Sequence, residues 1–433
     1  MIKVVAAICL IVLFIACEKE DDSFDCTVNL EIADHSPHSM VLSVEGFGIE
    51  VARLELVNKE LDEVLAMAQL NEGSGKLLVN QLSPGSSFDY LVKIDGQVIE
   101  SGHAELPLLP EAYNDFIDIQ IDGIPDLKGG YLLMNKMSQP SGIFLLDDTG
   151  RVIWSRLSDN FVKMVKLTKR GTLLTLEDNL GDKFGNGNLI YETTFTGDTL
   201  VKLTHGVAGF DRMAHHDVVL TERGTYAFIT NVLVDGLIVD GITELNAYGE
   251  KVWEWDMASQ VLPVQSGEVF NQPWANSIEE TKDGNFLVSF RALSQVWLIN
   301  PADDKVLMKF GGDNNMGLPE QHLPLFQHHA QMVGEDEMLL FDNGGIDERA
   351  FSRVMRYSIS DNYNLASLVN EIVLPQSLFS PYMSAVQEFN DGYLVTSSTK
   401  NQIAHVGLNN EVNWSMQLGD RMFRAQLVNM SFN

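Results

Sequence analysis

The chain has 433 residues, enough for two or more domains, and 45% of them are hydrophobic, an ordinary share for a globular protein. Sixty acidic side chains stand against 29 basic ones, a formal net charge of -31 at pH 7. That balance excludes nucleic acid as a partner, because phosphate binding needs clustered Lys and Arg, and it obliges any anionic substrate to find a local positive pocket.

Residues 4–15 form an apolar run behind Lys3, too short for a permanent membrane span, so residues 1–17 read as an export signal. The run ends in Leu13-Phe14-Ile15-Ala16-Cys17, which resembles a bacterial lipoprotein box with Phe14 where Leu is usual. The resemblance implies that Cys17 is lipidated, becomes the first mature residue and anchors the chain to a bacterial membrane in the cell envelope, periplasmic or surface exposed. Plain secretion with cleavage nearby is the alternative. Residues 18–24 read as an acidic tether. Of the three cysteines, Cys9 lies in the signal and Cys17 takes lipid. Cys26 is left alone, so neither an intrachain disulfide nor a cysteine metal site is expected.

Residues 25–122 read as short alternating strands with turn punctuation. Thr27 to Ile32, Met40 to Val44, Ala52 to Val57 and Phe88 to Ile94 alternate, and Asp95-Gly96 is a hairpin turn. The pattern resembles an immunoglobulin or fibronectin-III sandwich, with Ile119 to Asp122 as its last strand and Gly123-Ile124-Pro125 as the linker. His35, His38 and His103 are expected at its surface.

Residues 126–433 repeat. Each unit is a strand, a turn and a second strand, beginning near Val162, His215, Ala275, His328 and Met383. A further hairpin follows, marked by Trp154, Trp253 or Trp414, which are expected to pack between units. Four strands about every fifty residues is the mark of a β-propeller blade. Tyr131 to Leu157 supplies three strands with no inner partner, and Phe423 to Val428 supplies an inner strand with no followers. Together they make a sixth blade. The expected fold is all-β: a six-bladed propeller, closed by the C-terminal strand, after an immunoglobulin or fibronectin-III-like sandwich.

Inner strands of a propeller line a central channel. Matching the turn positions sets His215 with His328, and His216 with Asn276 and His329; Trp274 falls level with Gln327. Side chains alternate along a strand, so only one histidine of each pair can face the channel squarely. His328 is preferred in its repeat, while His215 and His216 stay open. Arg291, at the end of a returning strand, reaches the same mouth. Trp274, Asn276, His329 and Asn343 complete the candidate substrate-binding set. Histidines, an arginine and amides without converging carboxylates describe an anion site. Asp217 is a candidate to orient a histidine, and Asp342 to fix its turn. No third ligand of suitable type stands in register, so no metal centre is expected. His205, His322 and His405 read as loop or surface residues.

His215-His216-Asp217, Ala275-Asn276-Ser277-Ile278, Ser289-Phe290-Arg291 and Gln327-His328 with Phe341-Asp342-Asn343-Gly344 together resemble the bacterial arylsulfate sulfotransferase family, which needs no nucleotide sulfate donor. The resemblance implies a ping-pong reaction without cofactor. A histidine, here His328, attacks the sulfur of a phenolic sulfate donor and passes the sulfuryl group to a phenolic acceptor. Arg291 and one of His215 and His216 hold its oxygens. A neighbouring arginine is expected to keep the nucleophile neutral. The family's further histidine, two residues before the Asn of Asn-Ser, is here Trp274, and the cysteine pair of some members is missing. The other function class in view is a non-catalytic surface lipoprotein that binds an anionic or aromatic ligand at the propeller mouth. A sulfate-ester hydrolase is a third, and a homodimer through the sandwich is left open.

Overall fold

The computed structural model describes residues 25–33, 35–47, 51–71, 74–181, 186–234, 237–260 and 273–430. The export signal, Cys17 and the acidic tether lie outside the described residues. The described residues divide into two compact units, one up to Leu109 and one from Pro110 to Met430. Both are built from strands.

The first unit has seven antiparallel strands: β1 (Asp25–Glu31), β2 (Met40–Phe47), β3 (Val51–Asn58), β4 (Glu63–Asn71), β5 (Ser74–Val79), β6 (Ser87–Ile94) and β7 (Gln97–Glu105). They run in the order β1-β2-β5-β4-β3-β6-β7. Between β4 and β5 only Asn71 and Ser74 pair, so three strands separate from four at that point. Strict alternation drives the burial: Phe88, Tyr90, Val92 and Ile94 of β6 turn inward with Leu42, Leu54, Leu56 and Leu77. Asp95 and Gly96, at φ of 47° and 80°, form the two-residue turn into β7. His38 is buried, not at the surface as its sequence suggests, and burial lowers its pKa to about 4.

The strand expected to end the first unit belongs to the second. Gln120–Gly123 pairs with Trp414–Gln417. Just before it, Tyr113 donates its hydroxyl to the Ser141 carbonyl at 2.8 Å, and Phe116 packs on Phe144 with ring centres 5.0 Å apart. Alternation alone cannot say which sheet an edge strand joins, and here the aromatic pair decides it.

Among the described residues, the second unit holds six antiparallel sheets of four or five strands. The first joins Tyr131–Lys136, Ser141–Leu146 and Val152–Ser158 to Ala425–Val428 from the far end of the chain. The second to sixth sheets lead with Phe161–Leu167, Ala214–Leu220, Ala275–Glu280, His328–Met332 and Ala385–Phe389. Each leading strand touches the next, and that of the sixth sheet touches Ala425–Val428 of the first. Trp154 reaches Phe195 of the second sheet's connection, and Trp253 stacks on Phe286 of the fourth. Trp414 instead packs in its own sheet against Phe389 and His405, which is buried rather than at the surface as its sequence suggests.

Apart from the short pairing of Asn186 and Gly187 with His215 and Ala214, a leading strand pairs on one side and leaves backbone groups open on the other, and an open polar group costs about 1–3 kcal/mol when buried. Side chains of each preceding sheet close them. Gln387 Oε1 accepts from Leu427 N at 3.0 Å, and Gln426 Oε1 from Leu167 N at 2.9 Å. Lys166 Nζ donates to Val218 O at 3.2 Å. Asp217 Oδ2 accepts from Ile278 N at 3.1 Å, Ser277 Oγ from Ala330 N at 3.1 Å and Glu279 Oε2 from Met332 N at 2.9 Å. Gln331 Nε2 donates to Val386 O. The cycle returns to the first sheet through Gln387. Gln426→Ala is expected to lower the unfolding free energy of this unit by about 1–3 kcal/mol in urea titrations, by stranding Leu167 N–H. An unchanged midpoint would show that water closes the edge equally well.

Candidate active site

The leading strands are bulged where the chemistry-bearing residues stand. In the third sheet Ala214 faces Thr230 and Val218 faces Phe228, so His215, His216 and Asp217 oppose the single residue Ile229. Asn276 is extra between Ala275 and Ser277 in the fourth sheet, and Lys163 between Val162 and Met164 in the second. In the fifth, His329 and Ala330 fall between the paired His328 and Gln331. His216 and His329 take φ of 58° and 53°, the left-handed region that bulky residues rarely enter. Strict alternation therefore does not assign the faces of His215 and His216, whereas His328 and His329 do part, as expected. His215 and His216 lie side by side, Nδ1 to Nδ1, at 2.8 Å.

The turns correct the register as well. Thr168 N bonds Thr172 O, Thr221 N bonds Thr225 O, Thr281 N bonds Asn285 O and Val333 N bonds Glu337 O. Asp336, not Glu337, thus takes the place of Gly224 and Gly284. Counting back from the equivalent turns, His328 corresponds to His216, Asn276 and Lys163 rather than to His215. Lys163 stands in the same row of the repeat, a signal that the sequence carries and that the candidate set omits.

His328 is 2% exposed, edge-on to Phe423 with ring centres 5.3 Å apart. Neither ring nitrogen has a hydrogen-bond partner of good geometry among the described residues. Burial pushes its pKa well below the ordinary imidazole value, and the charges of Arg424, His216 and His329 push the same way, against a smaller opposing effect of the Ser384 backbone. The arginine acting on the nucleophile candidate is thus Arg424, not Arg291. Arg424 is buried on the closing strand side of Phe423, with its NH2 group 3.2 Å from Asp217 Oδ2. Asp217, expected to orient a histidine, is committed to Arg424, to Lys166 at 2.7 Å and to Ile278 N. These charges hold its carboxyl below the usual range although burial opposes them.

Arg291 lies with the aromatic residues of the mouth. Its guanidinium sits 4.8 Å from the Phe326 ring centre and 5.7 Å from that of Trp274, and donates to Pro381 O at 3.1 Å. Its Nε is buried without a partner among the described residues. Asn276 donates to Gln327 O at 2.8 Å, tying the fourth sheet to the fifth, and its Oδ1 is unpartnered among the described residues. Asn343 spends its amide on Ser380 O and Met383 O, at 2.7 and 2.9 Å, so it tethers the sixth sheet's entry. Asp342 fixes its turn as expected, accepting from Leu325 N at 2.8 Å and pairing with Arg349 and Arg353. Gly344 at φ 68° must be glycine, since a Cβ there would lie 2.3 Å from Arg349 O. The Phe-Asp-Asn-Gly stretch is therefore the knot that sets the entry to the His328 strand.

His329 points elsewhere. Its Nδ1 lies 3.0 Å from Val386 O, and its ring lines a cavity of about 940 Å³ that runs past Lys166, Asp217, Ser277, Glu279 and Arg424 to the turns at Thr281 and Gly334. His328, His215, His216 and Arg291 do not line it. Burial first, then Arg424 and Lys166, lowers the pKa of His329 to about 3. Burial, with His215 next, lowers that of His216 to about 3. Burial raises that of Glu279 to about 7, with Met332 N–H and Lys166 opposing. Among the described residues no group of three His, Cys, Asp or Glu side chains is placed to hold a metal ion.

A model of the arylsulfotransferase (ASST) family matches residues 122–427, most of the chain. The chain belongs to the arylsulfotransferase family. Membership supports sulfotransferase activity in general, on phenolic substrates. No curated protein matches. Among solved structures, the chain is similar to a protein of unknown function from Bacteroides caccae, at 14% identity and a TM-score of 0.46, over 70% of this chain and 100% of that one. It is also similar to a streptogramin B lyase, at 13% identity and a TM-score of 0.43, over 73% of this chain and 100% of that one. A third is a catalytically inactive virginiamycin B lyase from Staphylococcus aureus with quinupristin, at 11% identity and a TM-score of 0.39, over 88% of this chain and 99% of that one.

The buried titratable groups give opposite pH signs. His216 and His329 fall from 6.5 to about 3 on folding, so the stability they contribute is present above pH 6.5 and is lost as pH falls toward 3. Glu279 rises from 4.5 to about 7, so its contribution is full below pH 4.5 and is lost as pH rises through 7. Melting temperatures measured from pH 7 to pH 4.5 should fall more steeply on acidification for Glu279→Gln than for the parent chain, and less steeply for His329→Gln.

Proposed function

We propose that the protein is an aryl-sulfate sulfotransferase that works through a sulfohistidine on His328. The observation that carries this reading is the state of His328: an imidazole that burial holds neutral, with neither nitrogen in a hydrogen bond of good geometry among the described residues, level with His216 and near the charge of Arg424. One ring nitrogen attacks the donor sulfur, the N–S bond forms as the S–O bond to the aryl group breaks, and the phenolate leaves. The acceptor oxygen then attacks the same sulfur and the N–S bond breaks, returning the electron pair to the ring. Arg291 is read as holding the sulfuryl oxygens, with Arg424 and Lys163 supplying the positive field that an anion needs in so acidic a protein. Trp274 and Phe326, already stacked with Arg291, are read as the walls for the phenol rings.

The six sheets, with leading strands in contact round a closed cycle, support a six-bladed propeller. The strand order of the first unit supports a fibronectin-III-like sandwich. The lipoprotein-like Cys17 supports attachment to a bacterial membrane in the cell envelope. Cys17→Ala should release the protein from the membrane fraction of cells expressing the full chain; retention by the variant would point to another anchor.

With p-nitrophenyl sulfate as donor, nitrophenol release should be faster with phenol present than without. His328→Ala should abolish it, and Arg291→Ala should slow it by about 10²–10³-fold. Donor alone should leave a sulfuryl adduct on the peptide bearing His328. A binding module without turnover is the second reading, favoured by the 2% exposure of His328. It predicts thermal stabilisation by the aryl sulfate, lost in Arg291→Ala, with no product from any variant.

A further inference from the structure

Asp240 stands on the third strand of the third sheet, Leu237–Leu245, and is 1% exposed. Its Oδ2 accepts from Ala275 N at 2.7 Å, next to Trp274, so the carboxylate cannot swing away without stranding that amide. Its Oδ1 lies 3.2 Å from His215 Nε2, within ion-pair range but out of line for a good hydrogen bond. A carboxylate oxygen presents only lone pairs and would repel another lone pair at that distance, so the tautomer of His215 that fits carries its proton on Nε2. His215 Nδ1 is then an acceptor. It meets His216 Nδ1 at 2.8 Å, a separation at which two lone pairs repel, so His216 carries its own proton on Nδ1. That pair is the only hydrogen bond of His216 among the described residues. Its Nε2 is left with a free lone pair on a partly exposed ring, while His215 is 1% exposed.

We propose that Asp240 and His215 are positioning residues that fix the tautomer of His216 and so make its Nε2 the base that takes the proton of the acceptor phenol. The role in turnover rests on the sulfuryl-transfer reading above; the tautomer does not. As the acceptor oxygen forms its bond to sulfur and the N–S bond breaks, the acceptor O–H proton passes to His216 Nε2. His216 then gives the proton to solvent or to the next leaving phenolate, so no proton is gained or lost over a cycle. Burial first, then the charges of His215, Lys163 and Arg424, keeps His216 unprotonated, and a bound sulfuryl anion offsets those charges when the base is needed.

The test has two arms. Long-range ¹H–¹⁵N spectra of ¹⁵N-histidine-labelled protein, assigned with His215→Gln and His216→Gln, should find the proton of His215 on Nε2 and that of His216 on Nδ1. A proton on Nε2 of His216 in the parent chain overturns the proposal. In Asp240→Asn the amide N–H₂ can face His215 Nε2 and reverse both tautomers. Transfer from p-nitrophenyl sulfate to phenol should then fall by about 10²-fold or more, while transfer to a strongly acidic phenol, already ionised, should change little. An equal loss with both acceptors marks a merely structural residue and overturns the proposal. If the parent chain transfers nothing, the proposed reaction fails, and the spectra still decide the relay.

Discussion

A ring of small sheets turns one edge of every sheet toward its middle, and that edge must find hydrogen bonds without a neighbouring strand to supply them. Here polar side chains supply them, each from one sheet to the leading strand of the next: Gln426 to Leu167, Asp217 to Ile278, Ser277 to Ala330, Glu279 to Met332. These residues are fixed by the need to close backbone, and what remains at the same level is free for chemistry. Asp217 shows the division. It looks like a histidine partner in the sequence, yet backbone, Lys166 and Arg424 claim it entirely. The orienting acid is Asp240, two strands away.

Bulges do the rest. An unbroken strand shows only every second side chain to the middle, which leaves little room for histidine pairs. An extra residue at His216, Asn276 and Lys163 re-aims the chain at the height where charge has to collect. The cost is a left-handed φ at His216 and His329, held by the pairing on either side.

Much of this is legible from residue order. The repeat, its five internal copies and the lone strand at the far end stand out because the turn chemistry and the inward alternation recur. What the pattern hides has physical reasons. An edge strand such as Gln120–Gly123 carries no mark of the sheet it joins. Bulges break the two-residue rule that assigns faces, so residue order does not separate His216 from His215. A one-residue difference in turn placement, Asp336 against Glu337, displaces a whole row. Lys163 is visible but lies among ordinary surface lysines. Arg424 and Asp240 reach the histidines from distant parts of the chain, and local sequence has no means of announcing that.

The first sheet takes three strands from residues 131–158 and its fourth from Ala425–Val428. The opening strands, complete at Ser158, therefore wait for a segment that begins only at Ala425. Arg424 stands immediately before that segment. A nascent or prematurely truncated chain thus lacks both the clasp and one of the charges that, after burial itself, lower the pKa of His328.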